Sequence, residues 1–388
     1  MDYEKLLNPN VTGLKPSGIR RFFSLAEEME DVISLGVGEP DFQTPWHIRD
    51  AAIKSLQKGH TRYTSNQGMA TFREEISKYL KRRFDLTYKA DNVVVTVGGS
   101  EAIDLCVRSL VAFGDEVLIP EPSFVCYAPI VTLCGGVPVP IKTVVEDEFR
   151  LNPNALKAAI TEKSKLLILP YPNNPTGSIM RKDDLEKIAE VLKDTNVMVL
   201  SDEIYAELTY GDKRHVSIAE INENMYNRTI IASGFSKSIS MTGWRLGYAV
   251  GPSKVLEQMI KIHQYAIMCA PTTAQYAGVE ALLNGDGDID EMRKEYNIRR
   301  KFISKGFNDI GLTCFEPYGA FYVFPSIKST GLSSEDFCEK LIHSKRVAVV
   351  PGNAFGDSGE GFVRVSYCYS VMHIKEALKR ISSFLSEL

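Results

Sequence analysis

The stretch Ser233 to Val250, SGFSKSISMTGWRLGYAV, places a single lysine, Lys237, among small and hydroxyl residues, and Arg245 follows before an apolar run. A lysine in such a setting is costly to desolvate unless it is neutralised or covalently used. Arg245 keeps a permanent planar charge suited to a phosphate. Gly234, Ser236 and Ser238 leave room for a flat ring to approach the lysine. Read alone, these residues also fit a solvated turn with one lysine and one arginine.

Moving outward from this stretch, the chain has a strand, turn, helix rhythm. VVVTV runs into GGSEAIDLCVRSLVAFG, and EVLIP, VPVPI, KLLILPYP, VMVLSDEIY, TIIASGFSK and GWRLGYAVG follow, with helical segments such as Asp184 to Lys193 between them. Short β-rich runs alternating with helices predict an α/β fold, a mostly parallel sheet with helices on both faces. Right-handed crossovers then gather the carboxyl ends of the strands on one rim, where ligands bind in open α/β sheets.

The flanks organise the rest. Residues 1–45, punctuated by Pro16, Gly18, Gly36, Gly38, Pro40 and Pro45, read as an extended arm. Helical patterns cover Trp46 to Lys58 and Gly68 to Phe84, and residues 46–284 form a large domain. Residues 285–388 lose the parallel rhythm: long charged helices, the strands GAFYVFP, VAVVPG and FVRVSY, and a last helix with Ile374, Ala377, Leu378, Ile381 and Leu385 in one stripe. They form a smaller α+β domain that the arm joins.

A formal net charge of -4 argues against nucleic acid or an anionic membrane as a partner, since both need a basic face. There is no apolar run of about 18 residues and no signal-peptide pattern at MDYEKLLNPN, so a cytoplasmic protein is expected. The seven cysteines lack C-x-x-C spacing and the six histidines lack metal-ligand pairing, so no metal site is expected.

Several polar residues stand at the expected rim. Gly98, Gly99 and Ser100 open a helix whose first turn holds Glu101, so free backbone N–H groups and the helix dipole offer an anion site. Asp202 ends a strand three residues before Tyr205, where a helix cap is the competing role. Asn174 lies in PYPNNPTG, a strand-ending turn, and Phe124 in EPSF is either a ring-stacking residue or a core aromatic. Arg364 alternates with apolar neighbours in FVRVSY and needs an anionic partner or an escape to solvent.

Taken together, Gly234-Phe235-Ser236-Lys237 with Gly243-Trp244-Arg245-Leu246-Gly247, GGSEA, SDEIY, NPTG and the arginine after PGNAFG resemble the class I/II pyridoxal-phosphate aminotransferases, of the aspartate and aromatic, fold type I kind. The resemblance runs in order from Gly38 to Arg364 and implies a dimeric transaminase. It implies that Lys237 forms the Schiff base with pyridoxal 5'-phosphate and acts as general base, and that Arg245 holds the phosphate. The turn Gly99, Ser100 and Glu101 would add phosphate contacts. Some relatives carry a phosphate-binding serine three residues before the lysine, where this chain has Gly234, and Ser236 stands in as donor. Asp202 would bind the pyridine nitrogen, Tyr205 and Asn174 the phenolic oxygen, and Phe124 would stack on the ring. Arg364 would bind the substrate α-carboxylate, with Ile19, Gly38 and Asn174 as further substrate contacts. Tyr63 would cross a homodimer interface to the neighbouring phosphate.

The resemblance leaves a carbon–sulfur β-lyase as the alternative, because both reactions need the same carbanion. A nucleotide-binding or regulatory protein on a doubly wound sheet is a more distant rival, and no G-x-G-x-x-G turn supports it. Arg245 and Arg364 both have anions assigned, while Glu101 and Asp104 would repel a second carboxylate and Ile19, Phe124 and Tyr127 offer apolar contact. A donor with a neutral or aromatic side chain is therefore expected, with an oxo acid such as 2-oxoglutarate as acceptor, unless Arg20, Arg21 or a partner cation intervenes.

Overall fold

The computed structural model describes residues 1, 3, 5–14, 18, 29–212 and 214–388 of the chain. Ile19, Arg20 and Arg21 lie outside the described residues.

The apolar runs become the seven strands of a central sheet: β1 (Val93–Thr96), β2 (Glu116–Glu121), β3 (Val137–Lys142), β4 (Ser164–Leu169), β5 (Met198–Asp202), β6 (Thr229–Gly234) and β7 (Gly247–Val250). Their order is β1-β7-β6-β5-β4-β2-β3. From β3 to β6 neighbours run parallel, whereas β7 runs against both β6 and β1. The expected mostly parallel sheet is therefore present, with one reversed strand inside it. Alternate residues serve opposite faces. Leu166 and Ile168 of β4 pack with Cys106 and Met259, from the helices Gly99–Leu110 and Ser253–Ala266. Leu167 and Leu169 pack with Leu185 and Ile188, from the helix Lys182–Leu192. Each such buried side chain contributes roughly 1.5–3 kcal/mol, so both faces must be covered.

Register explains where the site forms. Gly247, the first residue of the reversed strand, lies opposite Gly234 and Thr96, and Asp202 lies opposite Ala232. Residues that leave β1, β5 and β6 and the residues that enter β7 thus share one rim. Close backbone approach at that rim requires glycine: a Cβ on Gly247 would sit 2.5 Å from the Gly98 carbonyl carbon. Gly98 itself has φ +77, the left-handed region that glycine enters without steric cost, and a Cβ there would meet Arg245 Nη2 at 2.7 Å.

The C-terminal residues form a second layer. Tyr322–Val323, Val363–Ser366 and Val350–Pro351 make a three-stranded antiparallel sheet, and Ile33–Ser34 of the arm pairs in parallel with Val347–Ala348. The expected strand GAFYVFP thus shrinks to two residues, and VAVVPG divides between two sheets because the chain changes partner within it. Ile374, Ala377, Leu378 and Ile381 of the last helix (Val371–Leu385) are buried as its stripe predicts, with Phe384 buried and Leu385 half-buried at its end. This core also takes in Tyr205, Leu208 and Tyr210 from the segment after β5, which joins it to the central sheet. All seven cysteines are free thiols. Among the described residues no helix is long and apolar enough to cross a membrane.

Candidate active site

A cavity of about 290 Å³ opens at the rim. Gly38, Gly99, Ser100, Phe124, Asn174, Asp202, Tyr205, Ser236, Lys237, Arg245 and Arg364 all line it, so most of the residues singled out from the sequence converge there. Two described candidates do not. Glu101 turns away, its Oε2 accepting from the Val97 amide at 2.5 Å and its Oε1 meeting His263 Nδ1 at 2.7 Å. Tyr63 is 80% exposed and does not line the cavity within its own chain. The third, Ile19, lies outside the described residues.

Three cations face this space, and among the described residues none of them makes an ion pair. Lys237 Nζ donates to the Gly38 carbonyl at 2.7 Å. Burial pushes its ammonium down to about 8, with Arg364 and Arg245 adding like-charge repulsion while Cys368 and Glu39 oppose the shift. Arg245 has φ 50 and donates from Nη1 to the Thr242 carbonyl at 3.0 Å. It faces the start of the helix Gly99–Leu110, which has no side-chain cap and so leaves its first N–H groups free. Arg364 is 3% exposed; its Nη1 donates to Asn174 Oδ1 at 3.0 Å, its Nη2 to the Gly36 carbonyl at 2.5 Å, and its Nε is buried without a partner among the described residues. The guanidinium lies over the Tyr322 ring at 4.6 Å and the Phe355 ring at 4.8 Å.

Asp202 is the cavity's acid. Tyr127 Oη donates to its Oδ2 at 2.7 Å and the Ile204 amide to its Oδ1 at 3.2 Å. Burial pushes the carboxyl up to about 6 against the pull of these two hydrogen bonds. Tyr205 and Tyr322 share a hydroxyl–hydroxyl bond of 2.9 Å, and burial raises both phenols.

Sequence reasoning missed the polar roles of Tyr127 and Tyr322. Tyr127 stands three residues after Phe124, and their rings meet edge to face at 6.1 Å, a closeness in sequence that could have flagged it. Tyr322 carries the only hydroxyl within the run GAFYVF. Its partners Tyr205 and Arg364 are remote in sequence, so no local signal names them.

The geometry amounts to an anion cradle at a helix start, a lysine whose ammonium is destabilised, a buried carboxylate, and a buried arginine lacking an anion. Such a cavity suits an anionic ligand at the helix start and at Arg364. Residues 30–381 match the family described as aminotransferase class I and II. The chain is 53% identical over 380 residues to YugH of Bacillus subtilis, covering 98% of each chain. It is 45% identical over 377 residues to the aspartate aminotransferase of Pyrococcus abyssi, covering 96% of this chain and 97% of that protein. The crystal structure of an aromatic aminotransferase from Pyrococcus horikoshii superimposes with a TM-score of 0.90 at 44% identity, covering 95% of this chain and 99% of that one. The chain belongs to the class I and II aminotransferases. It is a pyridoxal-phosphate-dependent enzyme that transfers amino groups between amino acids and 2-oxo acids. The residues present fit that cofactor: cationic and N–H donors for its phosphate, Lys237 for its aldehyde and a carboxylate at depth.

Asp202 yields a prediction of unusual sign. Its folded value of about 6 exceeds the unfolded carboxylate value of ~3.9. Relative to a neutral residue, the wild type therefore loses stability as pH rises from ~3.9 through about 6. In the cofactor-free protein, Asp202→Asn should be more stable than wild type at about pH 8, by up to about 3 kcal/mol, and indistinguishable near pH 4. Urea unfolding at both pH values measures this. A destabilised Asn variant at pH 8 would make Asp202 a structural cap instead.

Proposed function

We propose that Lys237 is the covalent attachment point of pyridoxal 5'-phosphate and that Asp202, Tyr205, Asn174, Phe124, Ser236 and Arg245 hold it, with Gly99 and Ser100 donating to its phosphate. The observation that carries this reading is the convergence on one cavity of Lys237, Arg245 and Arg364, three cations without ion-pair partners among the described residues, around the buried Asp202. When bound, the cofactor supplies an electron sink for the carbanion left as the α-proton departs. An ionised Asp202 keeps the pyridine nitrogen protonated and so sustains that sink. Arg364 still has its Nε free for a substrate α-carboxylate, beside Nη groups already oriented by Gly36 and Asn174. Lys237, lowered to about 8, gives up its proton far more readily than an ordinary lysine and, once freed from the cofactor, serves as general base for the α-proton. Gly38, whose carbonyl accepts from Lys237, adds a backbone contact at the mouth.

The working unit is a homodimer in which Tyr63 reaches the neighbouring phosphate; its 80% exposure in the single chain suits a residue completed by a partner. The large domain, 46–284, carries the cofactor, and the small domain 285–388, joined by the arm strand Ile33–Ser34, completes the site. The seven free thiols suit a reducing compartment, and we place the reaction in the cytoplasm. At least one productive amino donor has a neutral or aromatic side chain. Phe124, Tyr127, Tyr322, Ile103 and Ile204 wall the cavity, and among the described residues the cations lining it are Lys237, Arg245 and Arg364.

Two experiments test this reading. A panel of amino donors assayed against 2-oxoglutarate should show turnover with neutral or aromatic donors, and Lys237→Ala should lose it with every donor along with the visible absorbance of the bound cofactor. Strict preference for aspartate refutes the donor class, and turnover by Lys237→Ala refutes the site. Mixing Tyr63→Phe subunits with Lys237→Ala subunits should give hybrids with activity above either parent, because one of their two centres is intact. No recovery on mixing argues against a shared site.

A further inference from the structure

Glu101 and His263 form a buried pair that the transamination chemistry does not use. Glu101 follows Ser100, which lines the cavity, yet its side chain is only 12% exposed and points to the opposite side of the turn. One carboxylate oxygen accepts from the Val97 amide at 2.5 Å, and the other meets Nδ1 of His263 at 2.7 Å. His263 is fully buried on the helix Ser253–Ala266, which packs against the helix Gly99–Leu110. Its second ring nitrogen, Nε2, is buried without a hydrogen-bond partner among the described residues. The ring proton therefore belongs on Nδ1, where Glu101 accepts it.

A carboxylate one residue from an anion cradle is a liability, because it repels the phosphate unless it is turned away and hydrogen-bonded. Val97 begins the turn through Gly98 to Ser100, so a carboxylate fixed on its amide also fixes the direction of the cradle's N–H groups. We propose that His263 is a positioning residue for phosphate binding, acting through Glu101. It holds the Glu101 carboxylate on Val97 and away from the cavity. This inference rests on the pyridoxal-phosphate reading of the site.

The test compares ligands with and without a phosphate. Wild type, His263→Leu and His263→Asn are stripped of cofactor and titrated with pyridoxal phosphate, with pyridoxal, and with inorganic phosphate as competitor. His263→Leu should bind pyridoxal phosphate and inorganic phosphate roughly tenfold more weakly and pyridoxal as well as wild type does. His263→Asn, which keeps a donor near the Nδ1 position, should stay close to wild type. Glu101→Gln in the His263→Leu background should recover part of the phosphate affinity by removing the charge. Equal losses for pyridoxal and pyridoxal phosphate, or no loss in His263→Leu, would overturn the inference while leaving the cofactor reading intact. A wild type that binds pyridoxal as tightly as pyridoxal phosphate would overturn both.

Discussion

A buried guanidinium with no carboxylate among the described residues to neutralise it is the constraint around which this chain is arranged. Arg364 comes from the C-terminal layer, Gly36 from the arm and Asn174 from the turn after β4, and two hydrogen bonds from one side chain join all three. Carbonyl and amide oxygens satisfy its geometry but leave its charge uncompensated. The aromatic faces of Tyr322 and Phe355 supply a partial counter-charge without closing the site. Ordering this cation requires the arm and both layers to be in place.

The same burial acts in opposite directions on the two titrating groups at the centre. It pushes Lys237 down to about 8 and Asp202 up to about 6, bringing both toward neutral pH. A lysine so placed can shed its proton, while the carboxylate ionises readily once a cationic partner arrives. Tyr127 and Ile204 hold Asp202 in position for that partner, and Gly38 holds Lys237 at the mouth. The chemistry thus follows from sheet topology, because the reversed strand β7 brings Arg245 to the rim where β5 and β6 deliver Asp202 and Lys237.

Much of this was legible in the sequence. Lys237 and Arg245 sit within one short motif, and strands read from β-rich runs gave the rim on which Asp202 and Asn174 stand. Arg364 announced itself as a charge on an apolar strand. Features that depend on distant partners were not legible. Glu101 is held by the Val97 amide and by His263, on a helix 162 residues further along, and the Tyr205–Tyr322 bond spans 117 residues. Nothing local marked β7 as reversed. The strand expected over GAFYVFP is shortened where Ala320 takes a positive φ, which breaks the extended conformation just before Tyr322.

The central claim is that Lys237, among the lysines of this chain, carries the cofactor. Reducing the holoenzyme with borohydride, digesting it and sequencing the peptides by mass spectrometry tests this directly. The account predicts a pyridoxyl group on the peptide containing Gly234-Phe235-Ser236-Lys237, attached at Lys237. A pyridoxyl group fixed on any other lysine, with Lys237 unmodified, would contradict it.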